Sequence, residues 1–236
     1  MVQDKLIILD NGHGIDTPGK RSPDGKFREY KWCREFVKLL KHYLEVYGYK
    51  VHLLVPEDYD VSLSERVGRV NTLCDKYGRS NCILVSVHNN AAGNGEKWYN
   101  ASGWESYTTP GKTNSDSLAE LMYDEAFYEG LKIRFDKSDG DSDKEANFTV
   151  LKRSLCPAVL TENMFMDSRC DVDFLVSEKG IKSLLKIHLV AIRRYFEKYS
   201  TREEWYDANP LFNEFWKNLN LDGGTLVVEN NKCIYK

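Results

Sequence analysis

A chain of 236 residues, 42% hydrophobic and 29% charged, can bury a sizeable interior, as one large α/β core or two small ones. Its 36 acidic and 33 basic residues leave a net charge of −3, and no lysine or arginine cluster dominates any segment, so nothing marks a polynucleotide partner. No stretch approaches the roughly 20 apolar residues of a membrane span, and the apolar run near the start is too short for a signal peptide.

The expected location is therefore cytoplasmic as synthesised, or exported if a leader has been removed, and the expected state is a monomer. Cys33, Cys74, Cys82, Cys156, Cys170 and Cys233 form no C-x-x-C pair and read as mostly buried free thiols.

In chain order, residues 6–9 are the first of four short apolar runs, followed by 51–55, 83–87 and 158–161. Each is apolar on successive residues, as a strand covered on both faces should be. Helical periods lie between them. Cys33, Phe36, Val37, Leu40, Leu44 and Tyr47 form one stripe that stops at Gly48. Leu63, Val67, Val70, Cys74 and Tyr77 form another, opened by "SLSE" in the pattern of a capping box and closed by Gly78. Residues 115–130 give a third helix, and Ile181, Leu184, Leu185, His188, Ile192 and Tyr195 a long fourth. This order predicts a three-layer α/β domain over residues 1–199, with a mainly parallel mixed sheet flanked by helices. Residues 136–147, "DKSDGDSDKEAN", read as a mobile polar loop. Residues 200–236 read as an appendage, a short helix plus a hairpin around residues 229–232, whose Trp205, Phe212, Phe215 and Trp216 favour packing on the core.

Functional groups in parallel sheets gather beyond the carboxyl ends of the strands. The first run ends in Asp10 and His13 ("LDNGHG"), the third in Ser86 and His88 ("VSVHNNA"), and the last in Glu162 ("AVLTENMF"). Glu29 lies one turn before Cys33 on the inward stripe, where a carboxylate is costly unless paired or metal-bound; simply opening its helix is an equally good account of it. Two histidines and a glutamate are a hydrolase ligand set for zinc that leaves a position for water. His13, Glu29 and His88 would hold one Zn2+, and Glu162 would move a proton from the attacking water to the leaving group. Taken singly, His13 and His88 would more often be ordinary residues; their joint position at strand ends tips the balance. Glycines on both sides of His13 would let the chain turn tightly there. His188 reads as a core residue, and His42 and His52 as structural or solvated. Asp10 and Asn90 could orient the ligands, strand-end packing being an equal alternative. Lys152 and Arg153 could meet a carboxylate, although a solvated charged stretch accounts for them better.

These segments, in order and spacing, resemble the zinc-dependent N-acetylmuramoyl-L-alanine amidases that cut bacterial peptidoglycan. "DYDVSLSERVGRVN", with Asp60, Arg66 and Asn71, and "ASGWESYTT" add to the likeness, which covers residues 5 to about 199. It implies a phosphorylase/hydrolase-like fold, zinc on His13, Glu29 and His88, Glu162 as acid/base, and cleavage between N-acetylmuramic acid and L-alanine of the stem peptide. The missing leader then suits a phage or prophage lysin acting on the cell wall. Asn11 stands where the family usually has proline, and Ile15 where it has a second glycine, so the loop around His13 is expected to differ in shape. A zinc hydrolase of another peptide amide, or a silent peptidoglycan-binding relative, are the alternatives.

Overall fold

In the computed structural model, which describes residues 2–138, 140–219 and 221 and the backbone of 226–229 and 232–235, the first apolar run becomes β1 (Leu6–Asn11), buried at every residue. Its side chains divide by parity, as a strand's must. Ile7 and Leu9 face one core with α1 (Glu29–Val46), while Leu6 and Ile8 face a second. β2 (Lys50–Leu53) pairs parallel with β1 at the sheet edge, and its residues are exposed or half-buried. Val51 and Leu53 are partly buried against the first core while Lys50 and His52 are exposed, so the expectation of two covered faces fails there.

The chain returns through α2 (Leu63–Tyr77), which packs Val70 and Cys74 into the second core. Ser62 caps it by accepting the Glu65 amide at 3.2 Å. The return bond of a capping box is not made; the Glu65 carboxylate takes Arg69 at 2.6 Å instead. Gly78 ends the helix at φ +89°, a value that favours glycine. β3 (Cys82–Asn90) then lies parallel to β1 on the side away from β2.

β4 (Glu105–Thr108), α3 (Asn114–Tyr128), the two-residue β5 (Lys144–Glu145) and α4 (Thr149–Lys152) precede β6 (Ala158–Phe165). The six strands run in the order β2-β1-β3-β6-β4-β5, with β4 antiparallel to β6 and the other pairings parallel. This is the mixed, helix-flanked sheet the sequence predicts. α3 and the long α6 (Glu178–Glu197) join α1 on one face, with α5 (Arg169–Leu175) between β6 and α6; α2 and α4 cover the other face.

Residues 136–147 are better fastened than a free polar loop. Asp143 is buried, and Lys144 and Glu145 extend the sheet beside Tyr107 and Thr108. Beyond α6, Pro210 starts a second helix, so two helices stand where one is expected, α7 (Arg202–Ala208) and α8 (Pro210–Asn218). Trp205, Phe212 and Trp216 are buried, with Phe212 against Tyr47 and Trp216 against Tyr43 of the α1 layer. An antiparallel pair, β7 (Leu226–Glu229) and β8 (Lys232–Tyr235), follows; the expected turn at Asn230 and Asn231 lies outside the described residues, as does the side chain of Cys233. Cys33, Cys74, Cys82 and Cys156 are buried free thiols, and Cys170 is exposed. Among the described residues no helix is long and apolar enough to cross a membrane.

Candidate functional site

β1 and β3 run side by side in register, Asp10 opposite Ser86 and Asn11 opposite Val87, so the residues just beyond them converge. His13 has φ +60°. The left-handed residue is thus the histidine itself, and its glycine neighbours serve differently from the expected tight turn. A Cβ on Gly12 would come within 2.4 Å of His88 Nδ1, and one on Gly14 within 2.0 Å of the Asp60 amide nitrogen. Both glycines are there for close approach.

Two arginines brace this loop. Arg34, buried on α1, donates to the His13 carbonyl at 2.9 Å and to the Glu57 carbonyl. Arg66 joins Asp10 (2.5 Å) to Asp60 (2.9 Å), and Asp60 in turn accepts the Thr17 hydroxyl at 2.7 Å. Asp10, which also accepts Ser86 Oγ at 2.6 Å, is therefore held by Arg66 and touches neither histidine. The Asn90 amide donates to Glu105 at 2.7 Å and likewise leaves His88 alone. The groups that do bond the His13 backbone and Glu29 are Arg34, unremarked in the sequence because a helix arginine ordinarily reads as solvated, and the Asn89 amide. Asn71 bonds the Arg153 carbonyl and the Leu155 amide and so braces the segment after α4.

Glu29 is the first residue of α1 and is fully buried. Its Oε1 accepts the Asn89 amide at 3.0 Å and lies 3.1 Å from His88 Nδ1 and 3.5 Å from His13 Nε2. Its Oε2 is buried with no hydrogen-bond partner, with Lys20 Nζ 4.0 Å away. One ligand atom from each of His13, Glu29 and His88 fits within a mutual 4.8 Å. The two imidazoles meet edge to face at 5.1 Å and remain 20% and 17% exposed, while Glu29 is closed off. An open side toward solvent is what a catalytic metal needs and a structural one avoids.

Charge follows the same geometry. Burial drives the His13 pKa down to about 4, outweighing Glu29, so this imidazole is neutral and its lone pair available. Burial also opposes charge on His88, but the Glu29 bond wins and raises it. Burial opposes charge on Glu29 too, and the two histidines and Lys20 overcome it, leaving a carboxylate. The orphaned Oε2, the neutral His13 and the two-histidine, one-carboxylate set together fit a zinc ion.

Glu162 sits across from His88 in the β3–β6 register and lines the same cleft, of about 730 Å³, together with His13 and Lys20. Burial raises its pKa to about 8, with Glu29 adding and His88 opposing. Its Oε2 has no hydrogen-bond partner. Met164, two residues on, is in the left-handed region at φ +64° where β6 slips register against β3. Asn147, Phe148, Thr149 and Val150 form the opposite wall. Lys152 and Arg153 are not part of that lining; Lys152 bonds Asn147 from outside, and the ammonium facing the cleft is Lys20. His188 is fully buried, and His42 is exposed.

Residues 7–194 match the family described as N-acetylmuramoyl-L-alanine amidase. Amidase CwlM of Bacillus licheniformis is 30% identical over 193 residues, which are 80% of this chain and 68% of that protein. The endolysin of Bacillus phage SPP1 is 28% identical over 193 residues, 80% of this chain and 65% of its own length. The crystal structure of an N-acetylmuramoyl-L-alanine amidase from Clostridium difficile 630 superposes with a TM-score of 0.70 at 24% identity, over 83% of this chain and 98% of that one; this likeness speaks to the fold alone. The chain belongs to the N-acetylmuramoyl-L-alanine amidase family.

Proposed function

We propose that this chain is a zinc-dependent hydrolase that cuts the amide between N-acetylmuramic acid and L-alanine in peptidoglycan, and so acts on the bacterial cell wall. The observation that carries the reading is one cleft lined by His13, His88 and Glu162, with the buried Glu29 behind it and one ligand atom from each of His13, Glu29 and His88 within 4.8 Å of the others. His13, Glu29 and His88 would hold the ion. Zinc when bound supplies a Lewis acid for the scissile carbonyl and lowers the pKa of a water from 15.7 to about 7.

The chain's own groups do the rest. Glu162 takes the proton of the attacking water on a carboxylate oxygen and delivers it to the departing alanine nitrogen, a transfer worth roughly 10² to 10⁴-fold. Burial makes the ionised carboxylate a stronger base than one in water, so it takes the proton readily and keeps it until the amine needs it. Asn89 and Arg34 hold Glu29 and the His13 backbone in place. Lys20, on the open side of the cleft, offers a countercharge to a stem-peptide carboxylate.

Release of dye from labelled purified walls, with and without chelator, tests the reading. Release that chelator abolishes and added zinc restores is the expected result. Retention on walls without release would mean a binding relative, and cleavage of free peptides with inert walls a peptidase.

A further inference from the structure

A second group of acids lies away from the cleft, where the 136–147 segment meets α3. One carboxylate oxygen from each of Glu120, Asp141 and Asp143 comes within 4.8 Å of the others. Asp143 is 1% exposed, and its Oδ1 is buried with no hydrogen-bond partner; its Oδ2 accepts the Thr108 hydroxyl at 2.6 Å. Among the described residues no lysine, arginine or histidine pairs with Glu120 or Asp143. The nearby cations Arg134 and Lys144 are both taken by Glu105, at 2.8 and 2.7 Å. Glu120 also accepts the Ser142 amide and hydroxyl, which fixes its head beside the segment.

A buried carboxylate without a countercharge is costly, and like charges beside it make it more so. For Asp143 the cost is met by a proton shared between carboxyls or by a cation beside it. Three features favour a cation. Asp143, a member of the group, is buried by the fold with one oxygen left without a hydrogen-bond partner. Glu120 and Asp141 are only partly buried, leaving a side for waters. Every donor is an oxygen, the preference of hard ions rather than zinc. We propose that Glu120, Asp141 and Asp143 form a site for a hard divalent cation, calcium by size and ligand flexibility, which fastens the 136–147 segment to α3.

The electrostatics agree, since burial, Asp141 and Asp116 push the Asp143 pKa up to about 7 against the Thr108 bond. A cation relieves that cost without a proton. The segment runs on from β5 into Asn147–Val150, the wall of the cleft, so the ion would steady that wall from outside.

Calcium chloride titrated into the full chain at pH 7.5, followed by calorimetry and by thermal melting, provides the test. Saturable binding is expected with a dissociation constant of about 0.1–1 mM, the range of extracellular calcium modules, and 10 mM calcium should raise Tm by about 3–8 °C. Asp143→Asn and Asp141→Asn should each weaken binding at least tenfold and remove the Tm rise. Should Asp143→Asn fail to fold, Asp141→Asn and Glu120→Gln, at partly exposed positions, carry the same expectation. No saturable binding up to 10 mM would leave a proton-sharing pair and overturn the proposal. Binding undiminished in the foldable variants would overturn it equally, by putting the ion elsewhere.

Discussion

Gly12→Ala separates close approach from backbone freedom. Gly12 is not in the left-handed region, so alanine brings no backbone strain there. Its Cβ would lie 2.4 Å from His88 Nδ1 and 2.5 Å from Cε1, so the ring must retreat by about 1 Å to reach the 3.4 Å of ordinary contact. Metal-ligand distances tolerate about 0.2 Å, a fifth of that displacement. The His88 nitrogen, now 3.1 Å from Glu29 Oε1, would leave the shared position. Losing a ligand's alignment should cost at least the roughly 100-fold seen for outer contacts, about 2.7 kcal/mol of binding. Zinc content by mass spectrometry and affinity by competition with a chromophoric chelator measure it, while melting in chelator reports folding without metal. One zinc per chain at wild-type affinity in folded Gly12→Ala would refute the assignment of His88. Gly14→Ala is the contrast, because its Cβ meets the Asp60 backbone at 2.0 Å and should harm the fold itself.

Glu162→Gln should keep zinc and lose about 10² to 10⁴-fold in wall hydrolysis; a near wild-type rate would remove Glu162 from proton transfer. Arg66→Met leaves Asp10, 1% exposed, buried without its countercharge, and should cost about 3–5 kcal/mol in urea unfolding, whereas a loss under about 1 kcal/mol would make the pair dispensable. Burial lowers the His188 pKa to about 4 from 6.5, so the unfolded chain takes up this proton more readily than the folded one. Its contribution is fully present above pH 6.5 and is lost as pH falls toward 4, about 3 kcal/mol in all. His188→Gln should flatten the stability-against-pH curve in that window, and an unchanged slope would mean that the ring is protonated in the folded state.

Much of this site is legible in the sequence because strand ends are marked by abrupt changes of residue type. Four apolar runs stop at Asp10, Pro56, His88 and Glu162, and a parallel sheet brings such ends to one edge. Glu29 was legible from its helical phase, although phase alone could not separate an inward carboxylate from a helix-opening one. What stayed hidden depends on long-range pairing. Asn89 donates its backbone amide to Glu29, 60 positions away in sequence, and any residue but proline could do that, so its identity carries no signal. Arg34 and Arg66 look like surface charges until their carbonyl and carboxylate partners are folded against them. The 136–147 segment reads as solvated by composition, and the burial of Asp143 arises only because Thr108 on β4 and Glu120 on α3 close over it.

The strand order explains why His13, Glu29 and His88 meet where they do. From β1 the chain passes through α1 on one face to β2, then through α2 on the other face to β3, which returns to the far side of β1. The chain thus leaves β1 toward β2 and leaves β3 the other way, toward β4 beyond β6, and a crevice opens between the ends of β1 and β3. His13 and His88 border that crevice, and Glu29 reaches it from the first turn of α1. Backbone strain is concentrated at the same place. Among the described residues the non-glycine positions at positive φ are His13, Met164 and Lys198; Lys198 ends α6, His13 lines the cleft, and Met164 follows the cleft-lining Glu162 by two residues. Such strain persists only where the surroundings over-determine it. For His13 the surroundings are the Arg34 bond to its carbonyl and the Asp60 backbone against Gly14. The imidazole is thereby aimed at Glu29, its Nε2 3.5 Å from Oε1.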